Sequence, residues 1–106
     1  MNRTLILQAL EECRVVQILY AGGARIVQPH AILRKPDGTE LLEAYQVKGH
    51  SDSGVEHGWK SFDLARVEQV ELRAETFEPR RDFKPVSSDS GVVVAQVRAT
   101  RAEAKL

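Results

Sequence analysis

The stretch RVVQILYAGGARIVQPHAIL, Arg14 to Leu33, most narrows what this chain can fold into. Val16, Ile18 and Tyr20 alternate with Val15, Gln17 and Leu19, the period of two that sends successive side chains to opposite faces of a strand. The run is rich in β-branched and aromatic residues, which suit a pleated surface. AGGA at 21–24 follows, and Gly22–Gly23 offers the positive φ that a tight hairpin needs. Arg25 to Leu33 is then the returning strand. Pro29 within it has no N–H for a ladder and predicts an edge or a bulge.

The rest of the chain is arranged around that hairpin. Residues 3 to 13 are expected to be helical, with Ile6, Leu10 and Cys13 on one stripe, Ala9 beside them, and Gln8, Glu11 and Glu12 facing away. KPDG at 35–38 is a turn in which Pro presets φ and Gly allows the left-handed position. Thr39–Lys48, Trp59–Leu64 and Val67–Leu72 make a third, fourth and fifth strand, with a polar loop at 49–58. One helix and five short, turn-linked strands give a mainly β chain with helices, of the α+β class, predicted to form a small, strongly bent barrel over residues 1–76.

Residues 77–106 form a C-terminal extension expected to pack on the barrel or on a partner. TFEPRRDFKP mixes two phenylalanines and two prolines with five charged residues, which predicts an extended crossing of the barrel surface. After SSDSG, the Ala, Arg, Glu and Lys content predicts a short final helix capped by Asp89. The β-branched triplet Val92–Val94 is the contrary signal for a strand.

Composition excludes more than it identifies. Lys+Arg and Asp+Glu are both 15 in 106 residues, so any polyanion site has to be a local patch rather than a global field. Cys13 is the only cysteine, which rules out an internal disulfide and fits a buried, inert thiol in a reducing cytoplasm. Neither a leader nor a membrane span is expected. His30, His50 and His57 are the only histidines and match no metal-ligand spacing. There is no GxSxG and no glycine-rich phosphate loop before a helix, so neither an enzyme nor a cofactor is expected.

What remains is polar and basic. Arg25, His30 and Arg34 lie on the second strand, Gln46, Lys48 and His50 on the third, and Lys60 and Arg66 around the fourth. Within EAYQVKGH, strict alternation gives Gln46, Lys48 and His50 one polar face, with Tyr45 and Val47 on the core side. Arginine holds phosphate in a fork and lysine as a point charge, while Tyr20, Tyr45 and Trp59 are rings on which a base could stack. Parity complicates this picture. If Phe62 and Leu64 face the core, Lys60 turns inward and Trp59 outward, unless the strand bulges. Arg25 and His30 share a face only if Pro29 introduces a bulge.

The order of these pieces resembles the WYL domain, a small Sm-like barrel of bacterial proteins. The resemblance rests on LILQALEECR, VVQILYAGGARIVQPHAIL, DGTELLEAYQVKG and GWKSFDLARVEQVEL, and covers about residues 3 to 79. At the family's namesake Trp-Tyr-Leu, this chain has Glu40-Leu41-Leu42. The resemblance implies a five-stranded Sm-like barrel that senses a negatively charged ligand, a nucleic-acid fragment or nucleotide, in a regulatory role. It implies Tyr20, Arg25, His30, Gln46, Lys48 and Arg66 as ligand contacts, with His50 continuing the row. The winged helix that usually precedes the domain has no counterpart before the first helix, so a separate DNA-binding protein is an expected partner. The alternative is an interaction or dimerisation subunit, in which Phe77, Phe83 and Val92–Val97 cover the barrel or join two copies.

Overall fold

The computed structural model describes residues 2–49, 57–83 and 91–97. Helix α1, Asn2–Glu12, precedes strands β1 (Arg14–Tyr20), β2 (Gly23–Arg34), β3 (Glu40–Gly49), β4 (Gly58–Asp63), β5 (Val67–Thr76) and β6 (Val92–Gln96). All pairings are antiparallel, and the path runs β4-β3-β2-β1-β5. The long β2 uses one side twice: Gly23–Val27 pair with β1, while Ala31–Arg34 pair with β6. The sheet therefore has six strands, one more than the sequence predicts. Among the described residues β4 and β5 remain edges, so the barrel is not closed. No described helix is long and apolar enough to cross a membrane.

The β1–β2 hairpin shows how the local sequence sets the geometry. Tyr20 pairs with Gly23, leaving a two-residue loop. Its residues are Ala21 and Gly22, at φ 51° and 79°, rather than the two glycines expected. Positive φ at both positions is the turn whose twist matches a right-handed hairpin. The KPDG turn closes through Gly38 N–H donating to the Lys35 carbonyl, with the Asp37 carboxylate accepting from Thr39 N–H.

Helix α1 lays Ile6, Ala9 and Leu10 on the inner face of the sheet, where Val16, Ile18, Val27, Ile32, Leu42, Ala44 and Phe62 complete a buried apolar core. Val97, just after β6, joins that core, and its N–H donates to the His30 carbonyl. The final helix expected from composition is thus replaced, over 92–96, by a strand. The β-branched triplet finds a backbone edge at Ala31–Arg34 to pair with, and a ladder outweighs helix propensity of a few tenths of a kcal/mol per residue. The predicted Asp89 cap and residues 98–106 lie outside the described residues.

Two bulges reset which residues share a face. On β2, Pro29 pairs with Ala44 and Ala31 with the adjacent Glu43, so His30 is an extra residue. On β3, Gln46 pairs with Val27 but Lys48 with Ile26, so Val47 is extra. Each bulge puts two residues of one strand against one of its partner and reverses the alternation beyond it.

Candidate functional site

Strand parity and the bulge at Val47 divide the sequence-derived constellation into two groups on opposite faces of the sheet. The first lies at the end of the inner face farthest from β6. Register places Ile18, Arg25 and Gly49 in one cross-strand row and Val16, Val27, Gln46 and Gly58 in the next. Polar side chains therefore continue the rows that are apolar farther along. Arg25 and Gln46 are almost fully enclosed, at 4% and 0% exposure.

The Arg25 guanidinium lies 5.2 Å from the Tyr20 ring centroid and 5.4 Å from that of Phe62. It also donates to the Tyr20 carbonyl at 3.4 Å. The two rings meet edge to face, and the Tyr20 hydroxyl accepts the Asp63 N–H. Arg66, exposed on the 3-10 turn Leu64–Arg66, brings a second guanidinium 5.6 Å from the Tyr20 centroid. Among the described residues Arg66 has no ion pair with Asp63 or Glu68; the Asp63 carboxylate accepts the Ala65 N–H instead. Lys60 pairs with Ala44 and takes the inward parity, leaving Trp59 outward.

Strict alternation in EAYQVKGH fails at Val47. Gln46 is not part of an outward row but fully buried with Leu42 and Ala44, and its amide donates to the Gly49 carbonyl at 3.2 Å. Lys48 is exposed in the row of Ile26 and Gln17, away from Arg25. Tyr45 lies on the outer face against Trp59 and not in the core. The extra residue separates Lys48 from Gln46, whereas Gln46 and Tyr45 follow the regular alternation of Leu42 and Ala44. His50 lies outside the described residues.

The second group surrounds His30, which has 0% exposure. Alternation through Val27 and Pro29 carries it to the face opposite Arg25, because the bulge falls only at His30 itself; there Trp59, Phe77 and Phe83 stand 4.8, 5.2 and 5.3 Å away between ring centroids. Nε2 accepts the Arg80 N–H at 3.0 Å, so Nδ1 carries the proton and donates to the Gln28 carbonyl at 2.8 Å. Burial, together with the Arg80 charge, holds the imidazole below its ordinary pKa against the opposing pull of the Gln28 carbonyl and Asp82. Phe77–Phe83 thus lies across the outer face, where the Arg80 guanidinium sits 3.4 Å from the Tyr45 centroid and donates to the Gln28 amide oxygen. Sequence reasoning missed this role of Arg80. The regular FxxRxxF spacing of Phe77, Arg80 and Phe83 was its available signal.

No family model, curated protein or solved structure matches the chain. Among the described residues no group of three or more His, Cys, Asp or Glu side chains is placed to hold a metal. Of the remaining sequence candidates, Arg34 shares Glu40 with Arg3, and these arginines hold that carboxyl below its usual range. They line a shallow cleft of about 620 Å³ with Thr39 and Asp63, apart from Arg25.

Proposed function

We propose that this chain is a non-enzymatic, WYL-like binding module with an open Sm-like barrel, which takes an anionic ligand at the polar end of its inner face. The observation that carries this reading is the placement of Arg25, Gln46 and Lys60 on core-facing rows, beside Tyr20 and Arg66. The Arg25 guanidinium is enclosed beside the Tyr20 and Phe62 rings, and the exposed Arg66 guanidinium shares the Tyr20 ring with it. An anion bridging Arg25, Arg66 and Lys60 would make that arrangement useful. Arginine suits an oxyanion fork, and the shared Tyr20 ring holds two of these groups by cation–π attraction.

The ligand class we favour is a nucleic-acid fragment or nucleotide acting as a regulatory signal, with a separate DNA-binding protein as partner. In the alternative of an interaction subunit, Phe77, Phe83 and Val97 would cover the sheet rather than join two copies, since they pack on this chain.

Fluorescence anisotropy with short single-stranded and duplex oligonucleotides, over a salt series, tests the proposal. Arg66→Ala and Lys60→Ala should each weaken binding by about tenfold, the worth of one charge-assisted hydrogen bond, and lower the salt slope by about 1. Lys48→Ala, on the other face, should leave affinity close to wild type. No binding by the folded protein at low salt, or a Lys48→Ala effect as large as that of Arg66→Ala, would overturn the proposal.

A further inference from the structure

The outer face of the sheet carries a device separate from the anion site. Phe77–Phe83 covers His30 and packs against Tyr45 and one side of Trp59, which keeps 37% exposure, without joining the ladder. Its backbone is held by Phe77 N–H donating to the Cys13 carbonyl, and by Arg80 N–H donating to His30 Nε2. Side chains supply the rest, through Arg80 on Tyr45 and Gln28, Trp59 Nε1–H donating to Asp82, and the two phenylalanine rings on the imidazole. A segment attached this way opens more readily than the strands beneath it.

We infer that Phe77–Phe83 is a pH-sensitive strap, latched by neutral His30, whose release in mild acid uncovers His30, Tyr45 and the strap-facing side of Trp59. The geometry makes the latch specific to one protonation state. Nδ1 already donates to Gln28, so the proton added in acid must go to Nε2, the atom that accepts the Arg80 N–H. Two N–H groups would then point at each other across 3.0 Å. The ring would also become a cation in a site with no exposure.

The charged groups facing the ring among the described residues are Arg80 and Asp82, both on the strap. Arg80 opposes protonation and Asp82 favours it. From β2 the ring meets the Gln28 carbonyl, and from β4 the Trp59 ring. Nearest β6, the Val97 N–H donates to the His30 backbone carbonyl. The depressed pKa agrees with this balance. In the open state His30 regains an ordinary pKa of about 6.5, so one-proton linkage permits opening to rise by up to about thirtyfold between pH 7.5 and pH 5.

Hydrogen exchange of the full chain tests the inference, with rates corrected for the intrinsic effect of pH. The amides of Phe77, Arg80 and Phe83 should lose up to about thirtyfold in protection across that range, while those of Val16 and Ile18 keep theirs. Trp59, the only tryptophan, should shift its emission to the red over the same interval. His30→Gln, which retains an acceptor but no proton to gain, should flatten the response. Should that variant fail to fold, the wild-type imidazole resonance of His30 decides, because it must titrate together with strap opening. Strap protection that is constant with pH, or that falls only together with the hairpin amides, would overturn the inference. A response that survives His30→Gln, or an imidazole that titrates without opening, would do the same.

Discussion

Gly49 shows how one residue governs the polar end of the inner face. It lies opposite Arg25 at φ 112°, and a Cβ there would come within 2.8 Å of the Arg25 Cα and closer still to the Ala24 carbonyl oxygen. Backbone cannot yield as a flexible side chain can. Gly49→Ala should therefore destabilise by about 2–4 kcal/mol in urea unfolding, from strained φ and a forced separation of β2 from β3. Gly38→Ala is the control, because its φ of 91° is also positive but nothing lies near its Cβ; it should cost only about 1 kcal/mol. Equal losses would show that the close approach is immaterial. Ala21 is the converse case, a residue with a Cβ held at φ 51° in the hairpin turn. Ala21→Asn, the preferred partner for Gly22 in such a turn, should stabilise by about 0.5–1 kcal/mol, read as a higher urea midpoint at unchanged slope. AGGA announced a tight turn, but only the Tyr20–Gly23 pairing shows which two residues occupy it.

At the scale of elements, α1 and the first five strands were legible because each combines a periodic run with turn chemistry at its end. Boundaries fell within a few residues, with β5 running on to Thr76. The elements that were not legible owe their form to distant partners. β6 is a strand because β2 offers it an edge over Ala31–Arg34, and Val97 then reaches the core beside α1. Val97→Ala should accordingly cost about 1–2 kcal/mol by loss of buried methyl groups. Val92→Ala, at 66% exposure, should change stability by less than about 0.5 kcal/mol. Both are measured by chemical denaturation, and a helix in this region would not reproduce that contrast. The bulges at His30 and Val47 were illegible for a related reason. Pro29 hinted at the first, but a single inserted residue leaves the composition of a strand unchanged while it reverses every face beyond. Hence Lys48 left the constellation around Arg25, while His30 stayed outside it by ordinary parity because the bulge comes only at His30 itself.

Across the whole molecule, the sheet separates two kinds of polar chemistry: guanidinium groups on the inner face, and a neutral imidazole beneath a strap on the outer one. The titration of His30, and of Glu40 beside Arg3 and Arg34, should be visible in global stability. His30 has a native pKa below its unfolded value of about 6.5, so as pH falls the unfolded chain takes up the proton first. Stability should thus be flat from pH 8 to pH 7 and decline below about pH 6.5, through the depressed native value. Glu40 also has a lowered pKa, chiefly through its hydrogen bond with Arg3, with Arg34 adding to it. Its contribution is present above the ordinary carboxyl value of about 4.3 and is lost as pH falls toward the native one. Urea midpoints taken every half pH unit should therefore show two separate declines. His30→Gln should remove the upper decline and leave the lower one. Glu40→Gln should weaken the lower one by at most about 1 kcal/mol, since Arg3 and Arg34 are substantially exposed. A single decline confined to pH below 4.5 would mean that His30 accepts its proton without cost to the fold. The ring would then be a packing residue, and the outer face would stay covered in mild acid.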